Sequence, residues 1–217
     1  RPWVNQTLII ANLVIFAIQY ILPASGEEFV LITMAVVPGW LSEPLIDQVP
    51  FLPDQTTLVT YAFLHADWMH VISNMIFLWV FGDNIENLIG HVRYAVFYLI
   101  CGVGAALAQV ALGPDSIIPM LGASGAISGV LGGYVLLFPK RKVRALLFNM
   151  MTTVPAFVAL GIWIAFQLFQ GYMSSSEGGG VAYGAHIGGF AAGLILIKLF
   201  AIGKSPRVMS RVSDLEA

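Results

Sequence analysis

Leu121-Gly122-Ala123-Ser124-Gly125-Ala126-Ile127-Ser128-Gly129 sets a serine among glycines, between a loop holding Pro114 and Pro119 and an apolar run that reaches Phe138. The run from Ser124 to Phe138 is about 15 residues, or roughly 22 Å of helix. A bilayer core is about 30 Å thick. A helix this short that reaches one surface begins below the other, with irregular backbone just ahead of it. Such backbone is tolerated at depth only where protein surrounds it or water fills a cavity. The stretch therefore points to a wet, protein-lined hole in a membrane with the Ser124 hydroxyl at its floor.

The composition agrees. The 217 residues are 58% hydrophobic and 10% charged, with a mean hydropathy of +0.84. Soluble domains are about 25% charged. The length suits one polytopic membrane domain over residues 1–217. A net charge of -2 gives no reason to expect nucleic acid, and the lone Cys101 excludes an internal disulfide framework. The first apolar run is long enough to remain in the mature protein rather than serve as a cleaved signal.

Six apolar runs place spans at about 7–22, 68–86, 92–112, 124–138, 145–171 and 183–202. Asn12 and Gln19 in the first face other helices. Between the first two runs, Phe29 to Val37 is too short to span and Pro38, Pro44, Pro50 and Pro53 interrupt the chain, so 23–66 reads as a loop lying partly in the membrane surface. Asp67 is placed to N-cap the second span. A Ser/Gly stretch, 174–180, precedes the sixth, and 203–217 form a polar cytoplasmic tail. Every Lys and Arg, among them Arg1, Arg93, Lys140, Arg144, Lys198 and Lys204, then falls on one side or at the helix ends nearest it. The opposite loops carry only acids. By the positive-inside rule both termini are cytoplasmic and the Ser124 site opens outward. The fold class expected is an all-α polytopic membrane protein of six helices around a water-accessible cavity.

Polar groups at membrane depth are functional candidates. Besides Ser124 there are His70 and Asn74, at i and i+4 near the outer end of span two, and His186 near the outer end of span six. Gly125, Gly129 and Gly132 share one face of span four. His186, Gly189 and Gly193 share one face of span six. Small residues let membrane helices approach closely, and packing these faces brings His186 against Ser124. A serine becomes a nucleophile when a base adjoins it, and histidine is the usual one. Ser124 also lies at a helix N-terminus, where amides favour negative charge. His70 and Asn74 can add donors to an oxyanion. No acid is placed to complete a triad.

Each residue alone has a plainer reading: Ser124 as a serine bonded to its own backbone, His186 as packing, Asn74 as interhelical glue. Their convergence at one depth favours chemistry. Ser128, one turn deeper, is a rival nucleophile farther from the N-terminal amides. His91 reads as a solvated residue of a cytoplasmic turn, and Gln109 as a helix–helix hydrogen-bonding group. Gly122-Ala123-Ser124-Gly125 is not the soluble-hydrolase elbow, because Ala126 stands where that motif needs glycine. His65 and His70 lack metal-ligand spacing. No metal and no cofactor are expected.

These residues resemble the rhomboid family of intramembrane serine proteases. The resemblance rests on His65, His70 and Asn74, on Glu86, Gly90 and Arg93, on Gly122-Ala123-Ser124-Gly125, and on His186, Gly189 and Gly193, in that order. It implies hydrolysis of a peptide bond in or near the transmembrane helix of a single-span substrate, within a lipid bilayer. Ser124 would be nucleophile and His186 base. His70, Asn74 and the Ser124 amide would form the oxyanion hole. His65, Gly122, Gly125 and Gly189 would support them. It also implies that 174–180 cap the site and that span five is a movable gate. The compact six-span form points to a bacterial inner membrane. Thr56 and Thr57 stand where many relatives have Trp-Arg, so the first loop is held differently. Ser128 stands where some relatives stack a tyrosine on the catalytic histidine, so His186 must be oriented by something else. A non-catalytic rhomboid-like protein that binds membrane clients is the alternative; such relatives lack the serine or the histidine, and this chain has both. A small transporter would need paired charges at mid-membrane, which are not found.

Overall fold

The computed structural model describes residues 1–42, 54–147, 150–174 and 182–204. The chain opens with helix α1 (Trp3–Ile21). Short helices α2 (Ala24–Met34), α3 (Pro38–Ser42) and α4 (Thr57–Thr60) follow. Helix α5 (Trp68–Phe77) runs through a π-helical turn, Leu78–Gly82, into α6 (Asp83–Ile89). Next are α7 (His91–Leu112) and α8 (Ser124–Leu137), then a hairpin of β1 (Lys142–Leu147) and β2 (Met150–Pro155). Helices α9 (Ala156–Ser174) and α10 (Tyr183–Phe200) complete the described chain. Among the described residues, α1, α7, α9 and α10 are each long and apolar enough to cross a membrane. The protein is an all-α polytopic membrane protein carrying one small hairpin.

The hairpin corrects the fifth expected span. Residues 145–155 are apolar enough to extend a helix, yet 142–147 and 150–155 pair as strands, with Val143 opposite Val154 and Arg144 opposite Thr153. Thr152, Thr153 and Val154 are β-branched and favour this geometry. Ala156 N–H donates to Arg141 O and Phe157 N–H to Pro139 O, so α9 starts against the end of α8.

The first loop is more helical than its prolines suggest, and backbone contacts hold it. Val36 and Met120 exchange N–H···O bonds of 3.0 and 2.7 Å. Gly39 N–H donates to Ser116 O at 2.9 Å, and Thr60 Oγ1 to Met34 O at 2.8 Å. The expected features at Pro44, Pro50 and Pro53, the Ser/Gly stretch beyond Ser174 and the tail beyond Lys204 lie outside the described residues.

A buried polar network ties the opposite end together. Glu86, fully buried, accepts from Val4 N–H and Asn5 N–H at 3.0 and 2.7 Å, so it satisfies the first turn of α1. The Asn5 amide donates to Leu78 O at 2.9 Å, supplying a partner where the π turn disturbs the helical ladder. His91 is not simply solvated: its Nδ1 lies 2.5 Å from Glu86 Oε1. Gly90, at φ 90°, makes the one-residue turn between α6 and α7. Arg93 donates to Phe200 O and Ile202 O at 3.1 and 2.8 Å, closing α7 onto the end of α10.

Helices α7, α8 and α10 form the centre, and glycines set their spacing. A Cβ on Gly193 would collide with Gly129 O, one on Gly189 with Gly125 O, and one on Gly132 with Phe190 O. These are the two faces that the sequence pairs.

Candidate active site

Ser124 is the first residue of α8, and His186 lies one turn into α10. With the two backbones held close by glycine, Ser124 Oγ comes within 2.8 Å of His186 Nε2. Nδ1 of the same ring is 2.7 Å from Gln167 Oε1 on α9. The Trp163 ring lies 6.1 Å from the imidazole, and Tyr183 meets it edge-on at 6.3 Å.

Asp67 caps α5 by accepting from His70 N–H at 2.8 Å. This places His70 and Asn74 on the face of α5 that looks toward Gly122. His70 Nδ1 accepts from Ala66 N–H at 3.4 Å, which leaves Nε2 to carry the ring proton. Gly122 has φ 119°, and a Cβ there would fall 2.7 Å from His70 Cε1 and Nε2. Glycine therefore lets the irregular backbone before Ser124 lie against the imidazole. Gly122 N–H donates to Tyr61 O at 2.9 Å, and Tyr61 in turn donates its hydroxyl to Gly102 O at 2.7 Å. Asn74 Nδ2 is buried and, among the described residues, has no partner. A donor left so at the site suits a charge that arrives only with a reacting group.

Ser124, His186, His70, Asn74 and Gln167 all line one cavity of about 970 Å³. The other expected residues fall around it. Gly125 lets α8 meet Ala105 and Tyr61, and Gly189 lets α10 meet Gly125 O. His65 is buried behind His70, with ring centroids 5.0 Å apart. Ser128 Oγ donates back to Ser124 O at 2.6 Å, deep in the helix. Gln109 Oε1 accepts from Ala185 N–H at 3.2 Å, as a helix–helix group should.

Two site residues escape the sequence reading, Gln167 and Trp163. Gln167 carried a signal: it is a polar side chain inside an apolar run. It lies in the part of the expected fifth span that is helical, α9 (Ala156–Ser174), but nothing in the sequence shows which way that face of α9 turns.

The arrangement is a hydroxyl bonded to an imidazole, beside donors free to meet an oxyanion, at the bottom of a cavity among membrane helices. A hydroxyl so placed against an imidazole can carry out acyl transfer. The chain belongs to the rhomboid family: the Rhomboid domain model matches residues 53–202. It is 28% identical over 163 residues to the mitochondrial rhomboid protein 1 of Saccharomyces cerevisiae, covering 72% of this chain and 45% of that one. It is 29% identical over 153 residues to the chloroplastic rhomboid-like protein 11 of Arabidopsis thaliana, covering 66% and 51%. It is 32% identical over 157 residues to the rhomboid protease GluP of Bacillus subtilis, covering 71% and 29%. The chain thus spans about half or less of the length of these relatives. Membership supports intramembrane proteolysis in general. Relatives from mitochondria and chloroplasts leave the expected bacterial inner membrane without support; what stands is a multi-pass integral membrane protein.

Proposed function

We propose that this protein is a six-span intramembrane serine endopeptidase that cuts peptide bonds in or near the transmembrane helices of single-span membrane proteins. The observation that carries the reading is the 2.8 Å contact between Ser124 Oγ and His186 Nε2 inside a membrane-level cavity. A client-binding protein without catalysis has no use for that bond beside an unsatisfied Asn74 amide.

Ser124 Oγ attacks the scissile carbonyl carbon while His186 Nε2 takes its proton. The carbonyl oxygen becomes an oxyanion that accepts from the Ser124 N–H, His70 Nε2–H and Asn74 Nδ2–H. His186 then gives its proton to the leaving amine, the C–N bond breaks, and an acyl ester remains on Ser124. Water, activated by His186, releases it. Gly122, Gly125 and Gly189 bring these groups together, and His65 backs His70. Because a helical peptide bond hides its carbonyl, the substrate must unwind locally, so helix-breaking and small residues near the cut are expected. In this topology α1, the broken helix 68–89, α7, α8, α9 and α10 are the six spans. Both termini lie on the Lys/Arg-rich side and the cavity opens to the other.

The test is cleavage of a generic single-span substrate in liposomes. Wild type is expected to cut it, and Ser124→Ala and His186→Ala to leave it intact while keeping the wild-type melting temperature. Equal cutting by all three would reject the dyad.

A further inference from the structure

The dyad needs one thing it cannot supply itself. His186 accepts from Ser124 only through a neutral Nε2, so its single ring proton must sit on Nδ1. In serine hydrolases with a triad, a carboxylate opposite Nδ1 makes that choice. Among the described residues, the titratable groups that face His186 are His70 on α5 and Tyr183 on its own helix, and neither is a carboxylate. The Nδ1 side is occupied instead by Gln167 Oε1 at 2.7 Å. An amide oxygen only accepts. The bond therefore puts the proton on Nδ1 and leaves the Nε2 lone pair for the Ser124 hydroxyl. Gln167 is itself buried, 9% exposed, so little water competes for Nδ1. Trp163, four residues earlier and on the same face of α9, bounds the ring from the side.

We propose that Gln167 is a positioning residue that selects the tautomer and orientation of His186, in place of both a carboxylate and a stacking ring at Ser128. This rests on the protease reading for its kinetic consequence, but not for its structural one. Among the four described helices long enough to cross a membrane, Gln167 comes from the least buried: 17% of α9, against 33% for both α7 and α10. The base is thus oriented from a different element than the one that fixes its backbone.

Two variants and two readouts test this. Gln167→Leu keeps the bulk and removes the acceptor. Gln167→Glu restores an acceptor with charge. The first readout needs no substrate: nitrogen NMR of histidine-labelled protein, with the His186 signals assigned among the four histidines by their loss in His186→Ala. Wild type should show the proton on Nδ1. Gln167→Leu should lose that preference, and Gln167→Glu should keep it. The second readout is kinetic. Gln167→Leu should lower kcat about 10–100-fold with KM nearly unchanged, short of the roughly 10⁴-fold that an imposed wrong tautomer costs. Gln167→Glu should recover kcat and move the acid limb of its pH profile up by about one unit, because a facing carboxylate favours the imidazolium. A wild-type proton on Nε2 would overturn the proposal. So would Gln167→Leu with unchanged histidine signals, even if its kcat and melting temperature fell together, since that is a packing effect. If wild type cut nothing yet showed the Gln167-dependent tautomer, the protease reading would fail and the role of Gln167 would stand.

Discussion

The helix that carries His186 and the helix that contacts its ring, α10 and α9, are held in opposite ways. Helix α10 is locked to α8 and α7 through positions with no side chain. Gly189 and Gly193 face the carbonyls of Gly125 and Gly129, Gly129 faces Cys101, and Gly188 faces Ala108. Helix α9 touches the same core with a thinner face, and among the described residues nothing lies within 4 Å of the place a Cβ on its Gly161 would take. A bilayer offers no hydrophobic drive between helices, so close contact must come from shape. The chain spends its glycines where two backbones carry Ser124 and His186, and so the distance between nucleophile and base is set by main chain. The direction of the imidazole is set by side chains on the loosely held helix.

The sharpest way to break this comparison is to put a side chain into the lock. Gly193→Val should not yield a folded protein, because the branched Cβ would drive into Gly129 O, a clash of the kind that costs more than about 4 kcal/mol. Thermal unfolding in detergent would read it; a melting temperature near wild type would show that α8 and α10 are not locked through that contact. Next in size is a loss confined to chemistry. Asn74→Ala should leave unfolding unchanged and lower kcat by about 10²–10³-fold, the usual cost of one oxyanion donor. An unchanged kcat would assign the unpartnered amide to packing. Smallest, and of opposite sign, is Gly161→Ala on α9. With open space at that position, alanine should stabilise the helix by about 0.5–1 kcal/mol. A fall in stability instead would mean that the face is covered.

Much of this was readable from residues alone because membrane depth restricts where polar groups can go. The starts of the helices at Trp68, Ser124 and Tyr183 follow from Asp67, from the glycines around Ser124 and from the apolar run of span six. The matched glycine spacings on α8 and α10 foretold the contact that joins Ser124 to His186. The misses share a cause: an apolar run fixes burial but not backbone geometry. Residues 145–155 are greasy enough for a helix, and only the pairing of 142–147 with 150–155, with Thr152 to Val154 as a faint hint, makes strands there. The π turn at Leu78–Gly82 is invisible because the Asn5 amide that meets Leu78 O sits far away in sequence. His91 read as solvated for the same reason, since Glu86 becomes its neighbour only when α6 turns into α7 at Gly90. Gln167 needed the rotation of α9, which no periodicity in so uniformly apolar a helix reveals.

The central claim is that Ser124 is a nucleophile made reactive by His186. Its most direct measurement is labelling by a serine-reactive fluorophosphonate in detergent, with the modified residue located by mass spectrometry. Wild type should carry one label, on Ser124. His186→Ala should carry none at the same exposure while unfolding at the wild-type temperature. Labelling that stayed equally fast without His186, or that fell on Ser128, would contradict the account.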